Sequence, residues 1–310
     1  MDKQDTKPPR VVFESIPRLF AYDATPHHGV FDHYERETPS WHALTKLPLV
    51  QEPSVKVLYW VRHAEGHHNA AERFYGTPTW DATVSLSDEY LDAALNDAGL
   101  ADARNRSTHM LYERHIGLPL DKIIVSPLTR TLQTAHELFR LNDSSVPSVP
   151  IIAMENCRET LGVHTCDKRS PRSALVEAFP KVNWSLIDDE EDTLWSPSHR
   201  ETNDEIQMRC HAFLDDVFTR IPDKYIAIVS HAGFIQNCMV LLRYPNYKPK
   251  NCETIPTVVQ RTLLAPSVVA KQLPPAERMM ELSSLLTMLL VLVLSCRALR
   301  THCLPSCGHN

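Results

Sequence analysis

The order of apolar and amphipathic stretches predicts an α/β fold, in which short buried strands alternate with helices. Three apolar runs carry the expectation. Val57-Leu58-Tyr59-Trp60-Val61 ends abruptly at Arg62-His63, Lys122-Ile123-Ile124-Val125 runs into Ser126-Pro127, and Tyr225-Ile226-Ala227-Ile228-Val229 passes through Ser230 to His231. None alternates apolar with polar residues, which is the pattern of strands buried on both faces. Open α/β sheets hold ligands beyond the carboxyl ends of their strands. A cation and two imidazoles at such ends point to a site for an anionic group such as phosphate.

Helical segments follow each run. Residues 90–115 read as helix, with Asp97-Ala98-Gly99 marking a break. After the Lys122 run, Ser126 is the expected N-cap and Pro127 the first helical residue, which puts Arg130 in the first turn. The helix dipole disfavours arginine there, so a bound anion gripped by its guanidinium fork is the expected reason for it. Residues 201–220 form a second long helical stretch, and the apolar segment 234–242 would aim a helix N-terminus at the same anion. No internal repeat is visible, and the alternation argues for one α/β domain.

Arg62-His63-Ala64-Glu65 followed by Asn69, then Ser126-Pro127-Leu128-Thr129-Arg130, then Ser230-His231-Ala232-Gly233, together resemble the histidine phosphatase superfamily, and within it the phosphoglycerate mutase-like branch. Leu95-Asn96-Asp97-Ala98-Gly99 and Glu155-Asn156-Cys157-Arg158-Glu159, ahead of Leu161-Gly162-Val163-His164-Thr165-Cys166-Asp167, extend the likeness. Any one motif is weak; the ordered set is specific. The resemblance implies a three-layer sandwich with a mostly parallel central sheet flanked by helices. It also implies a catalytic domain over residues 55–262, between an N-terminal extension, 1–54, that packs on the core and a C-terminal extension, 263–310.

The resemblance further implies that His63 is a nucleophile that forms a phosphohistidine on attacking a phosphate monoester. An imidazole suits the task, because an ordinary pKa near 6.5 leaves it mostly neutral at pH 7. Arg62, Arg130 and His231 would clamp the phosphoryl oxygens, with Asn69 as a further donor. Phosphoryl transfer asks mainly for positioning and charge neutralisation, so no metal or other cofactor is expected. In the acid-phosphatase branch an aspartate directly follows the second histidine; here that position is Ala232. By resemblance Glu159 is the proton donor, with Glu155 and Glu65 as local rivals. Glycine commonly follows the nucleophile in this superfamily, whereas this chain has Ala64. If the position needs positive φ, alanine costs stability.

The expected reaction is hydrolysis of a small phosphate monoester; mutase-type transfer and a non-catalytic phospho-ligand binder are the rivals. Arg158, Lys168, Arg169 and Arg172 are the only further basic residues clustered near the motifs, and surface ion pairs account for Arg158 and Arg169 equally well. His63 and His67 are spaced to share a helix face, but no HExxH or paired CxxC pattern supports a metal site. Net charge is −6, from 32 basic and 38 acidic residues, which argues against nucleic-acid partners. With eight glycines and no glycine-rich loop, nucleotide binding is not expected. The run Asp188-Asp189-Glu190-Glu191-Asp192 reads as a solvated loop. Scattered cysteines and a start without a secretory apolar core suit the cytoplasm. The partner is a small phosphorylated metabolite; membrane contact would come only through the leucine-rich segment 282–296, whose fifteen residues fall short of the roughly 20 that span a bilayer.

Overall fold

A computed structural model describes residues 10–20, 36–245 and 247–264. In chain order the elements are β1 (Arg10–Ser15), α1 (Trp41–Thr45), α2 (Pro48–Gln51), β2 (Val55–Arg62), α3 (His67–Tyr75), α4 (Thr77–Ala82), α5 (Asp97–His115), β3 (Lys122–Val125), α6 (Thr129–Leu138), β4 (Ile151–Ala153), α7 (Arg172–Ala178), α8 (Asn203–Arg220), β5 (Tyr225–Ser230), α9 (Ala232–Leu241) and β6 (Thr254–Leu264). The strands form one sheet in the order β1-β6-β2-β5-β3-β4. β2 pairs with β5, β5 with β3 and β3 with β4 in parallel, while β6 runs antiparallel to β2. The expected three-layer α/β sandwich with a mostly parallel sheet is therefore the fold, with β6 antiparallel to β2. One compact unit comprises Val11–Thr262. The other, Met1–Arg10 with Leu263–Asn310, lies almost wholly outside the described residues, as does the leucine-rich segment.

The three predicted runs are the central strands. Val57, Leu58, Trp60, Val61, Ile123, Ile124, Val125, Ile226, Ile228 and Val229 are fully inaccessible, which accounts for their unbroken apolar character. The same core takes in Phe13, Phe20, Trp41, Leu44 and Val50 from ahead of β2. Trp41 also donates its indole N–H to Glu113 of α5 at 2.7 Å. Among the described residues, no helix is long and apolar enough to cross a membrane.

Two helix starts differ from expectation. The helix predicted from residue 90 begins at Asp97, because Asn96 accepts a bond from Gly99 N–H and caps it there. α6 begins at Thr129, so Ser126 is not its N-cap and Pro127 is not its first residue. The capping group comes from elsewhere: Asp92 Oδ1 accepts from Thr129 N–H and Oδ2 from the Thr129 hydroxyl, each at 2.8 Å. Asp92 also accepts from Ser170 N–H and holds a left-handed φ of 43°, a conformation that aspartate tolerates better than most residues.

Asp92→Ala should therefore cost about 2 kcal/mol, by removing the cap and leaving half-buried donors at Thr129 and Ser170 unpaired. Chemical denaturation would measure this, with Asp92→Asn losing less.

Candidate active site

Register brings three strand ends to one level. Arg62 of β2 stands opposite Ser230 of β5, and Val125 of β3 opposite Val229. His63 N–H continues the ladder to Ser230 O at 2.9 Å. The nucleophile candidate and His231 thus leave the sheet side by side, with ring centroids 5.1 Å apart. Arg130, on the first turn of α6 as expected, is fully buried beside them. Arg62, His63, Asn69 and Glu159 line one cavity of about 250 Å³.

The bonding of His63 determines what its ring can do. Its Nδ1 lies 2.6 Å from the Ala64 carbonyl oxygen. A carbonyl only accepts, so Nδ1 carries the proton and Nε2 presents its lone pair. Burial, then the charges of Arg130 and Arg62, hold the imidazole well below its ordinary pKa of 6.5. His231 is depressed likewise by burial and Arg130. Its Nε2 is 2.8 Å from the Ser126 hydroxyl, which is what Ser126 does in place of capping α6.

Around this ring, buried polar atoms lack partners. Arg62 Nε, Arg130 Nε, His231 Nδ1 and His68 Nδ1 are all sealed from solvent without a hydrogen bond. Orphaned buried polar atoms are rare and costly in folded proteins; of these four residues Arg62 and His68 line the cavity, while Arg130 and His231 lie behind its lining.

Three carboxylates were open as acid–base candidates, and two are committed elsewhere. Glu65 accepts from Arg73 and Asn96. Glu155 accepts from Arg158 and Arg169. Glu159 instead lines the cavity at the start of α9, with Oε2 3.3 Å from Gly233 N–H and Oε1 2.9 Å from Thr160 N–H. A Cβ at position 233 would stand 2.3 Å from Glu159 Oε1, so only glycine leaves room for this carboxylate. Asn69 Oδ1 accepts from Gly66 N–H at 3.1 Å and Asn251 Nδ2 at 3.3 Å. Its orientation is thereby set, with the amide nitrogen left to donate.

The structure adds residues that the sequence reading had not assigned. Asp167 is buried and bridges Arg130 at 2.8 Å and Arg200 at 2.7 Å. Arg200, His68 and Lys248 line the cavity with it. Motif order gave no signal for Arg200 or Lys248. His68 could have been found from its place beside Asn69. Arg158 and Arg169 are not surface ion pairs: both are buried, and they organise the acidic run around themselves. Arg158 holds Asp192 with both amino groups, while Arg169 donates to the carbonyls of Asp189, Glu190 and Glu191. Asp188 to Glu191 are exposed, as a solvated loop would be, while their carbonyls and the Asp192 side chain tie the run to the two arginines.

His63 and His67 do not share a helix, because β2 ends at Arg62 and α3 begins at His67. His164, Cys166 and Asp167 place one ligand atom each within 4.8 Å of one another. Asp167 already faces two arginines, and burial raises the Cys166 thiol well above its ordinary value, so this trio belongs to the arginine cradle. Ala64 does not have positive φ. It donates its N–H to Thr134 at 3.0 Å and buries its methyl beside Leu95, Ala103 and Cys252.

Residues 58–262 match the model of the histidine phosphatase superfamily, branch 1. Phosphoglycerate mutase-like protein 1 of Arabidopsis thaliana is 35% identical over 224 residues, covering 64% of this chain and 76% of that protein. A second phosphoglycerate mutase-like protein of that plant is 33% identical over 207 residues, covering 59% and 73%. The probable phosphoglycerate mutase PMU1 of Saccharomyces cerevisiae is 33% identical over 215 residues, covering 61% and 73%.

Two outcomes follow from this geometry. His63, His68 and His231 all have folded pKa values below the 6.5 of a free imidazole. The unfolded chain therefore binds more protons in acid, and stability falls as pH drops below 6.5. Each such ring contributes a slope of up to about 1.4 kcal/mol per pH unit. Melting curves between pH 7.5 and 5 would show it, and saturating phosphate should flatten the loss. Ala64→Gly should cost roughly 1 kcal/mol through lost burial and added backbone freedom, without raising activity.

Proposed function

The chain belongs to branch 1 of the histidine phosphatase superfamily, and we propose that it hydrolyses small phosphate monoesters through a phosphohistidine on His63. The observation that carries this reading is the bonding of His63. A ring held as the Nδ1–H tautomer by Ala64 O presents Nε2 to a cavity edged by unpartnered buried donors.

In the first half-reaction Nε2 of His63 attacks phosphorus in line, and the bond from phosphorus to the ester oxygen breaks. The phosphoryl oxygens gather charge that Arg62, Arg130, Asn69 and His231 are placed to meet. The leaving oxygen takes a proton from Glu159. In the second half-reaction Glu159 takes a proton from water, and the resulting hydroxide displaces the imidazole to release phosphate. Gly233 N–H and Thr160 N–H hold that carboxyl group in place throughout. All the charge compensation comes from side chains and backbone amides, so activity is expected to persist in EDTA.

Mutase-type transfer is the second reading, favoured by the names of the relatives and by Arg200 and Lys248 in the cavity. Conversion of 3-phosphoglycerate to 2-phosphoglycerate without phosphate release would establish it. The non-catalytic binder loses its one support, since Ala64 is unstrained and packed.

Phosphate release from a panel of small esters in EDTA provides the test. His63→Ala should abolish turnover, and Glu159→Gln should lower kcat by about 100-fold or more for esters with poor leaving groups, with less effect on nitrophenyl phosphate. Turnover unchanged in His63→Ala would end the phosphohistidine reading.

A further inference from the structure

We propose that His68 is a further catalytic residue, a third imidazole that donates a hydrogen bond to the transferring phosphoryl group. The inference rests on the phosphatase reading above and extends its machinery by one residue.

His68 follows the first residue of α3 and is only 8% exposed, yet it belongs to the lining of the cavity. Its ring centroid is 5.4 Å from that of His63. Nδ1 is sealed without a hydrogen bond among the described residues. A buried imidazole nitrogen left without a partner is costly to keep. His231, also buried, has at least the Ser126 hydroxyl on its Nε2. The ring is also deliberately accommodated. A Cβ on Gly66 would lie 2.6 Å from His68 Nδ1, so the glycine that opens α3 makes room for this side chain.

Burial is the main reason that His68 resists a proton, followed by Arg130 from α6, His63 and Arg62 from the turn after β2 and from its end, and His67 on its own helix. The carboxylate nearest along its own helix, Glu72, lines the same cavity. An incoming phosphate brings two negative charges into the group and reverses the balance. His68 then takes a proton from solvent and donates to a phosphoryl oxygen. Phosphate binding is thus coupled to proton uptake at His68 as well as at His231, while His63 keeps its Nδ1–H tautomer through Ala64.

Inorganic phosphate is the probe. Calorimetry at pH 7 in two buffers of different ionisation enthalpy gives protons taken up on binding, and the wild-type enzyme should take up more than one. His68→Gln and the smaller His68→Asn should each take up about one proton fewer and bind phosphate at least ten-fold more weakly. His67→Gln, changed at the exposed neighbour, should match wild type. In the unmodified protein, imidazole nitrogen NMR should show two rings becoming imidazolium on saturation with phosphate. One ring only, or a His68→Gln protein with wild-type affinity and uptake, overturns the proposal. A wild-type protein that neither binds phosphate nor hydrolyses esters overturns the phosphatase reading itself, and this inference with it.

Discussion

Arg130 is a guanidinium held entirely out of water, and much of the chain around it is arranged to make that tolerable. A buried charge needs partners or it destabilises the fold by several kcal/mol. Here Asp167 and the Cys166 carbonyl take two of its donors, leaving Nε orphaned. Asp167 in turn fixes Arg200, whose other contacts are the carbonyls of Thr160 and Gly162. The segment that carries Asp167 is held from below by Arg158, which donates to its carbonyl, and Arg158 is neutralised by Asp192 and Glu155. One cation at a helix start thereby recruits an ordered chain of ion pairs reaching a distant acidic loop.

This arrangement separates two uses of positive charge. Arg158, Arg169 and Arg209 hold the segments that flank α7 between β4 and α8; Arg209 meets Glu201 and the carbonyls of Asn156, Arg158 and Glu159. Arg62 and Arg130 each keep a buried Nε without a partner among the described residues. The first set shapes the segment around the site; the second retains donor capacity, which the proposed reaction would use. Burial first, then Arg130, lowers the pKa of all three rings, and Arg62 adds to this at His63 and His68.

What the sequence revealed was what depends on short spacing. The three buried strands read directly from unbroken apolar runs, and His63, His231 and Arg130 read from their places just past those runs. Contacts spanning many residues left no local trace. Ser126 looked like a cap because it precedes Pro127, but Asp92 reaches in from 37 residues earlier and does the capping. The pairing of Arg158 with Asp192 spans 34 residues, so the anchoring of the exposed acidic run left no sign in the sequence. Arg200 sits in a stretch of polar residues without periodicity. β6 was missed as a strand because its antiparallel pairing with β2 is a matter of topology, which one strand's composition does not record.

The approach of Gly233 to Glu159 ties together two parts of the chain 74 residues apart. Any side chain at 233 displaces the carboxylate, and once the carboxylate is gone the space at 233 becomes ordinary. The two positions are therefore not free to drift singly. The atom met is the far end of a flexible side chain, so a methyl at 233 would turn the carboxylate aside and leave the start of α9 intact. A change at 233 would thus be felt as a re-aimed carboxylate 74 residues away, and hardly at all as lost stability.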